Sequence, residues 1–183
     1  MKAEEIVAAT KHWLEAAVIG LELCPFAKAV YLDQQIRYAV TNADTPEALL
    51  EDLIGELQAL AVADPAETET TLLIHPRVFE DFLDYNDFLG VAEETVADLG
   101  LEGILQVASF HPQYQFAGTG PEDIENYTNR SPYPMLHLLR EESVERAVAA
   151  FPDTTQIYEK NIATLRQLGH EGWSRLGVGP RKR

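Results

Sequence analysis

The sequence predicts an α/β fold: a small parallel three-stranded sheet flanked by about five or six helices, in a single domain spanning residues 1–183. Three observations predict it. Three short β-rich segments occur, at residues 36–41, 70–75 and 104–110. Consecutive segments are separated by helix-length amphipathic stretches, which an antiparallel pair joined by a tight turn would not need. The chain has 183 residues and a hydrophobic share of 46%, enough for one buried core and too apolar for a mainly disordered chain.

Each element has its own justification. Ile6, Val7, Trp13, Leu14, Ala17, Val18 and Leu21 share one helical face, which predicts a first helix over about residues 3–20. "IRYAVT" reads as a short strand. A second helix then starts with Thr45 as N-cap, Pro46 at the first helical position and Glu47 in the first turn. "TTLLIHP" is a continuous apolar run of the kind buried strands show. A helix from about Phe79 repeats Phe82, Leu83, Leu89, Ala92, Val96 and Leu99, and Gly100 can close it. "ILQVASFHP" is the third strand. "PMLHLLREESVERAVAAF" reads as helical, with a break near Ser143, and Asp153 caps a last helix ending near Gly169.

Composition excludes several functions. Thirty acidic residues against 14 basic give a formal net charge of −16, which repels phosphate backbones and argues against a nucleic-acid partner. The basic tail "GPRKR" reads as a solvated end. No apolar run reaches the roughly 18 residues of a membrane span, and "MKAEEIVAATKHW" is too charged for a signal peptide. A lone cysteine rules out an internal disulfide framework and fits a reducing cytoplasm. The expectation is a cytoplasmic protein without membrane contact.

The site is expected at the carboxyl edge of the sheet, where open α/β sheets hold their ligands. Two His-Pro pairs end strands there, His75-Pro76 and His111-Pro112. Proline removes the next ladder donor and keeps the preceding residue extended, so both imidazoles are presented alike. The alternative is that each pair merely ends its strand. The stretch 110–141 then shows no repeat of 2 or 3.6 until Met135, which reads as a long irregular loop ahead of the next helix. In it Gly118 and Gly120 allow tight turns, and Pro121-Glu122-Asp123 reads as the first turn of a short helix. Asn126, Asn129 and Arg130 lead into a further helix beginning at Ser131 or Pro134. Arg130 ahead of that N-terminus would hold an anion, with Tyr114, Phe116, Tyr127 and Tyr133 as flat walls; the alternative is a structural ion pair. Cys24, in "LELCPFAKAV", lacks the second cysteine of a dithiol motif. It is either a packed thiol or a nucleophile served by His75 or His111.

"LCPFAKAV", "LLIHP", "QVASFHPQYQFAGT" and "NYTNRSPYPMLHLLRE" together resemble the bacterial and plastid family known as domain of unknown function 1415. The resemblance extends over nearly the whole chain and implies a free-standing domain. It brings no activity, cofactor or catalytic residue.

Two function classes follow from the residues. One is a small-molecule hydrolase or transferase with His75, His111 and Cys24 as catalytic residues. In it Arg130, Asn126, Asn129, Tyr114, Tyr127 and Tyr133 bind a small anionic molecule. The other is a non-catalytic ligand-binding or regulatory domain using the same rim. A zinc site from His75, His111 and Cys24, joined by His137, is a third idea, but close-spaced ligand pairs are absent. No metal or other cofactor is expected. His12 and His170 sit among charged residues and read as surface.

Overall fold

The computed structural model describes residues 2–150 and 154–179. Its sheet has four strands: β1 (Ile36–Val40), β2 (Thr70–Ile74), β3 (Leu105–Phe110) and β4 (Met135–Arg140), in the order β1-β2-β4-β3. β1 and β2 are parallel, and β4 runs antiparallel to both of its neighbours, β2 and β3. The expected all-parallel three-stranded sheet is therefore corrected to a mixed four-stranded one. β1, β2 and β3 still point the same way, so their carboxyl ends share one edge, but β4 lies between the second and third.

The correction falls on "MLHLLR", read above as helical. Met, Leu and Arg are good helix formers, but tertiary pairing decides here. Met135, Leu136 and Leu138 are fully buried, because a central strand is covered on both faces and shows no alternation. Pro134 precedes the first strand residue, a position where its missing N–H costs nothing. The helix that follows, α5, spans only Glu141–Ala150.

Helices cover both faces. The face bearing Leu73, Leu105, Leu136 and Leu138 packs against α3 (Pro46–Val62) and α4 (Phe82–Asp98), through Leu49, Leu53, Leu57 and Leu60 of the first and Tyr85, Phe88, Ala92 and Val96 of the second. The other face, bearing Leu72, Ile74 and Met135, packs against α1 (Ala3–Trp13), its π-helical continuation Leu14–Ile19, and α6 (Thr154–Arg175). Leu72 and Leu73 thus serve opposite layers, as a period of two requires.

Local chemistry explains the ends. The Thr45 hydroxyl accepts from the Ala48 N–H at 3.2 Å with Pro46 at the first helical position. Asp81 caps α4 by accepting from the Leu83 N–H at 2.8 Å, so this helix starts three residues later than expected. Gly100, at φ +68°, ends it, letting the Leu101 N–H reach the Val96 carbonyl at 2.9 Å. The expected first helix is α-helical only to Trp13 and then widens; the Gly20 N–H bonds the Glu15 carbonyl five residues back. A short α2 (Ala27–Leu32) was not expected. α6 runs past Gly169, which interrupts it at φ +63°. Its expected cap, Asp153, lies outside the described residues. No helix among the described residues is long and apolar enough to cross a membrane.

Candidate functional site

The two His-Pro pairs do lie at one edge, and their rings meet on the same residue. β2 continues one hydrogen bond past Ile74, with the His75 N–H donating to the Pro134 carbonyl at 3.1 Å, and Pro76 then turns the chain. The imidazole folds back into this turn, Nδ1–H donating to the Val78 carbonyl at 3.0 Å. That leaves Nε2 as a bare acceptor, buried and without a partner. Burial, with the nearby His111 adding to it, lowers the His75 pKa to about 4 against the opposing Val78 carbonyl, so the ring is neutral.

His111 has every group engaged. Its backbone N–H donates to the Asn129 carbonyl at 3.2 Å, Nδ1 accepts from the Gln113 N–H at 3.0 Å, and Nε2–H donates to the Phe79 carbonyl at 3.0 Å. One neutral tautomer satisfies all three. Desolvation lowers its pKa, opposed by the Phe79 carbonyl and Asp81. Both side chains are fully buried, at 0% exposure.

An aromatic plug holds them. Tyr85 stacks on His75 with centroids 5.7 Å apart, lies 5.0 Å from His111, and donates its hydroxyl to the Met135 carbonyl at 2.8 Å. Phe82 sits 5.5 Å from His111 and 5.1 Å from Tyr114. Phe79, whose carbonyl anchors His111, has φ +59°, an unfavourable backbone for a bulky residue that its surroundings enforce. Sequence reasoning missed Phe79 and Tyr85, because aromatics in a helical register read as core.

Cys24 is not part of this cluster. It is half-buried and packs in the layer of Trp13 and Leu23, whereas the histidines belong to the layer of Tyr85. The sheet stands between thiol and imidazoles. His137 is on the Cys24 side of the sheet. The Thr70 hydroxyl donates to the Leu138 carbonyl at 2.6 Å, so His137 Nε2–H must be the donor in its 2.7 Å bond to Thr70. Burial lowers its pKa to about 4. Among the described residues no three His, Cys, Asp or Glu side chains are grouped to hold a metal ion. His12 is exposed and its Nε2 meets the Leu176 carbonyl at 2.9 Å, while His170 lies edge-on to Tyr127.

The expected helix N-terminus behind Arg130 is corrected: a strand starts there, so no helix dipole faces it. The guanidinium donates to the carbonyls of Tyr114 (3.3 Å) and Pro121 and lies 4.2 Å over the Tyr127 ring. Asn126, in the 3-10 turn Ile124–Asn129, is fully buried. Its Nδ2–H donates to the Gly120 carbonyl at 2.7 Å and its Oδ1 accepts from the Phe116 N–H at 3.0 Å. Asn129 donates to the Ser109 carbonyl at 3.1 Å. Tyr114 packs against Phe82 and Phe116, Tyr127 against Trp173, and Tyr133 is buried in the core. These residues tie the loop to the sheet edge. Two recesses lie at that edge: one of about 190 Å³ at the ends of β1 and β2, lined by Val40, Thr41, Asn42, Pro76 and Arg77 with Ala3 and Ile6, and one of about 580 Å³ beside the histidine turn, lined by Arg77, Val78, Phe79 and Asp81 with Asp44 and Asp84.

A mixed sheet layered by helices, with two buried imidazoles and an aromatic plug at its carboxyl edge, defines an α/β protein. The chain belongs to the family described as "Protein of unknown function (DUF1415)", whose pattern matches residues 5–175. No curated protein and no solved structure matches the chain.

Proposed function

We propose that the protein is a non-catalytic binding or regulatory domain. One observation carries this reading: His75 and His111 are wholly buried, neutral and hydrogen-bonded to backbone carbonyls, with the only cysteine across the sheet. A general base must reach a substrate proton, and a nucleophile needs a base within hydrogen-bond distance. The net charge of −16 supports partners other than nucleic acid, and the lone cysteine supports a cytoplasmic setting.

The hydrolase or transferase reading is favoured by one feature, the unpartnered His75 Nε2. Nitrophenyl esters and phosphoesters separate the two. Parent protein, His75→Ala and His111→Ala should all give background rates. Turnover by the parent that either substitution abolishes, with the fold intact by circular dichroism, would restore the enzyme.

A further inference from the structure

One turn is held from two strand ends. Residues 76–81 link β2 to the Asp81 cap of α4, and the two imidazoles bond carbonyls that are neighbours in this turn. His75, at the end of β2, donates Nδ1–H to the Val78 carbonyl at 3.0 Å. His111, at the end of β3, donates Nε2–H to the Phe79 carbonyl at 3.0 Å. The Val78 N–H returns a bond to the His75 carbonyl at 3.4 Å. At the second latched carbonyl Phe79 is pinned at φ +59°, a backbone that a bulky residue leaves when nothing enforces it, with its ring 4.8 Å from that of Phe88. The turn is a strap under strain, closed by two rings that reach it from different strands.

Closure needs both rings neutral, and the bonds themselves require it. A second proton on His75 would sit on Nε2, which is buried without an acceptor. One on His111 would sit on Nδ1, which already accepts from the Gln113 N–H at 3.0 Å, so two donors would face each other. An imidazolium in either place leaves a buried N–H unpaired. Among the described residues no carboxylate is bonded to either ring. From α4 both rings meet Tyr85, whose hydroxyl is committed to the Met135 carbonyl. The loop after β3 brings Tyr114 and Arg130. Burial lowers the His111 pKa, with the Phe79 carbonyl and Asp81 opposing and Arg130 adding to it. The other charged groups near the strap line the recess of about 580 Å³ beside it: Asp44, Arg77, Glu80, Asp81, Asp84 and Asp87. Carboxylates dominate there, so a ring released from the edge finds acceptors for its new proton.

We propose that residues 76–81 form an acid-released strap, closed while His75 and His111 are neutral and freed from the sheet edge when either ring takes a second proton. This rests on the regulatory reading above and makes the proton its effector. Opening lets Phe79 leave its left-handed backbone, uncovers the aromatic plug and turns the rings toward the carboxylates of the recess. The direction follows from linkage. Both rings have lowered pKa values when the strap is closed and the ordinary value of about 6.5 when it is open. Closure is therefore complete above about pH 6.5 and is lost as pH falls toward about 4, the His75 value.

Amide hydrogen exchange of the intact protein at pH 7, 6 and 5, each rate divided by the intrinsic rate at that pH, tests this. The Val78 and Gln113 amides report on the strap, and the ladder between β2 and β4 reports on the sheet. At each pH the strap amides should open at least about tenfold more often than the ladder. Their opening constant should rise by up to about tenfold per pH unit for each ring as pH falls from 7 to 5. His75→Asn and His111→Gln each place an amide donor near the nitrogen that latches the strap, and neither side chain titrates. The double variant should open equally often from pH 7 to 5. Strap opening that stays level in the parent, that matches the ladder, or that keeps its pH dependence in the double variant would each overturn the proposal. If the double variant fails to fold, the parent's exchange decides. Level strap exchange without ester or phosphoester turnover sinks the strap alone. Turnover that depends on His75 sinks the non-catalytic reading beneath it.

Discussion

Arg130 is where residue identity and residue role separate most clearly. An arginine among asparagines and tyrosines in a loop suggests an anion site, yet its donors meet the Tyr114 and Pro121 carbonyls, and its plane covers Tyr127. Arg130→Ala should lower stability by about 2 kcal/mol, because charge-assisted bonds and a cation–π contact are lost together and two carbonyls lose their donor. Arg130→Lys should recover only part, since an ammonium cannot bridge both carbonyls while stacked. Urea denaturation gives the ranking; Arg130→Ala at parental stability together with lost phosphate binding would return the residue to a ligand role. The histidines were legible as neighbours because His-Pro at a strand end is a backbone instruction. Their burial was not legible, because it depends on Tyr85 and Phe82 arriving from α4, and nothing in a local pattern states which helix face covers which strand end.

At the scale of elements, β1 to β3, the start of α3 and the end of α4 could be read because each is written in short-range chemistry: β-branched runs, Thr45-Pro46 and Gly100. β4 could not. Its residues favour a helix when taken alone, and only two waiting strands make it extended. Arg140 at its end shows how firmly that insertion is tied. Nη2 donates to the carbonyls of Leu60 (3.0 Å), Ala63 (2.9 Å) and Thr68 (3.0 Å), capping the carboxyl end of α3 and pinning the loop into β2. Arg140→Ala should cost about 3 kcal/mol, read as a lower urea midpoint at unchanged slope. A loss under 1 kcal/mol would mean that packing alone holds the α3–β2 corner.

For the whole molecule, the buried imidazoles couple folding to pH. His75 and His137 have folded-state pKa values near 4, and that of His111 is also lowered, against an ordinary value of about 6.5 when unfolded. Below about pH 6.5 the unfolded chain binds protons that the folded one refuses. The stability from these groups is therefore complete above that pH and is lost as pH falls toward 4. Between pH 7 and 5, His75 and His137 should each remove roughly 2 kcal/mol. An opposing effect exists, since a net charge of −16 repels itself and acid relieves it. Most carboxylates titrate near pH 4, so that relief comes later and the histidines dominate this interval. Urea midpoints at pH 7, 6 and 5 should fall, and His137→Gln, which keeps a donor for the Thr70 hydroxyl, should make the fall shallower by about one proton. Midpoints that do not move, with the His75 ring titrating near 6.5 by NMR, would mean that water reaches the imidazole. The carboxyl edge would then be open, and the catalytic reading would have its base.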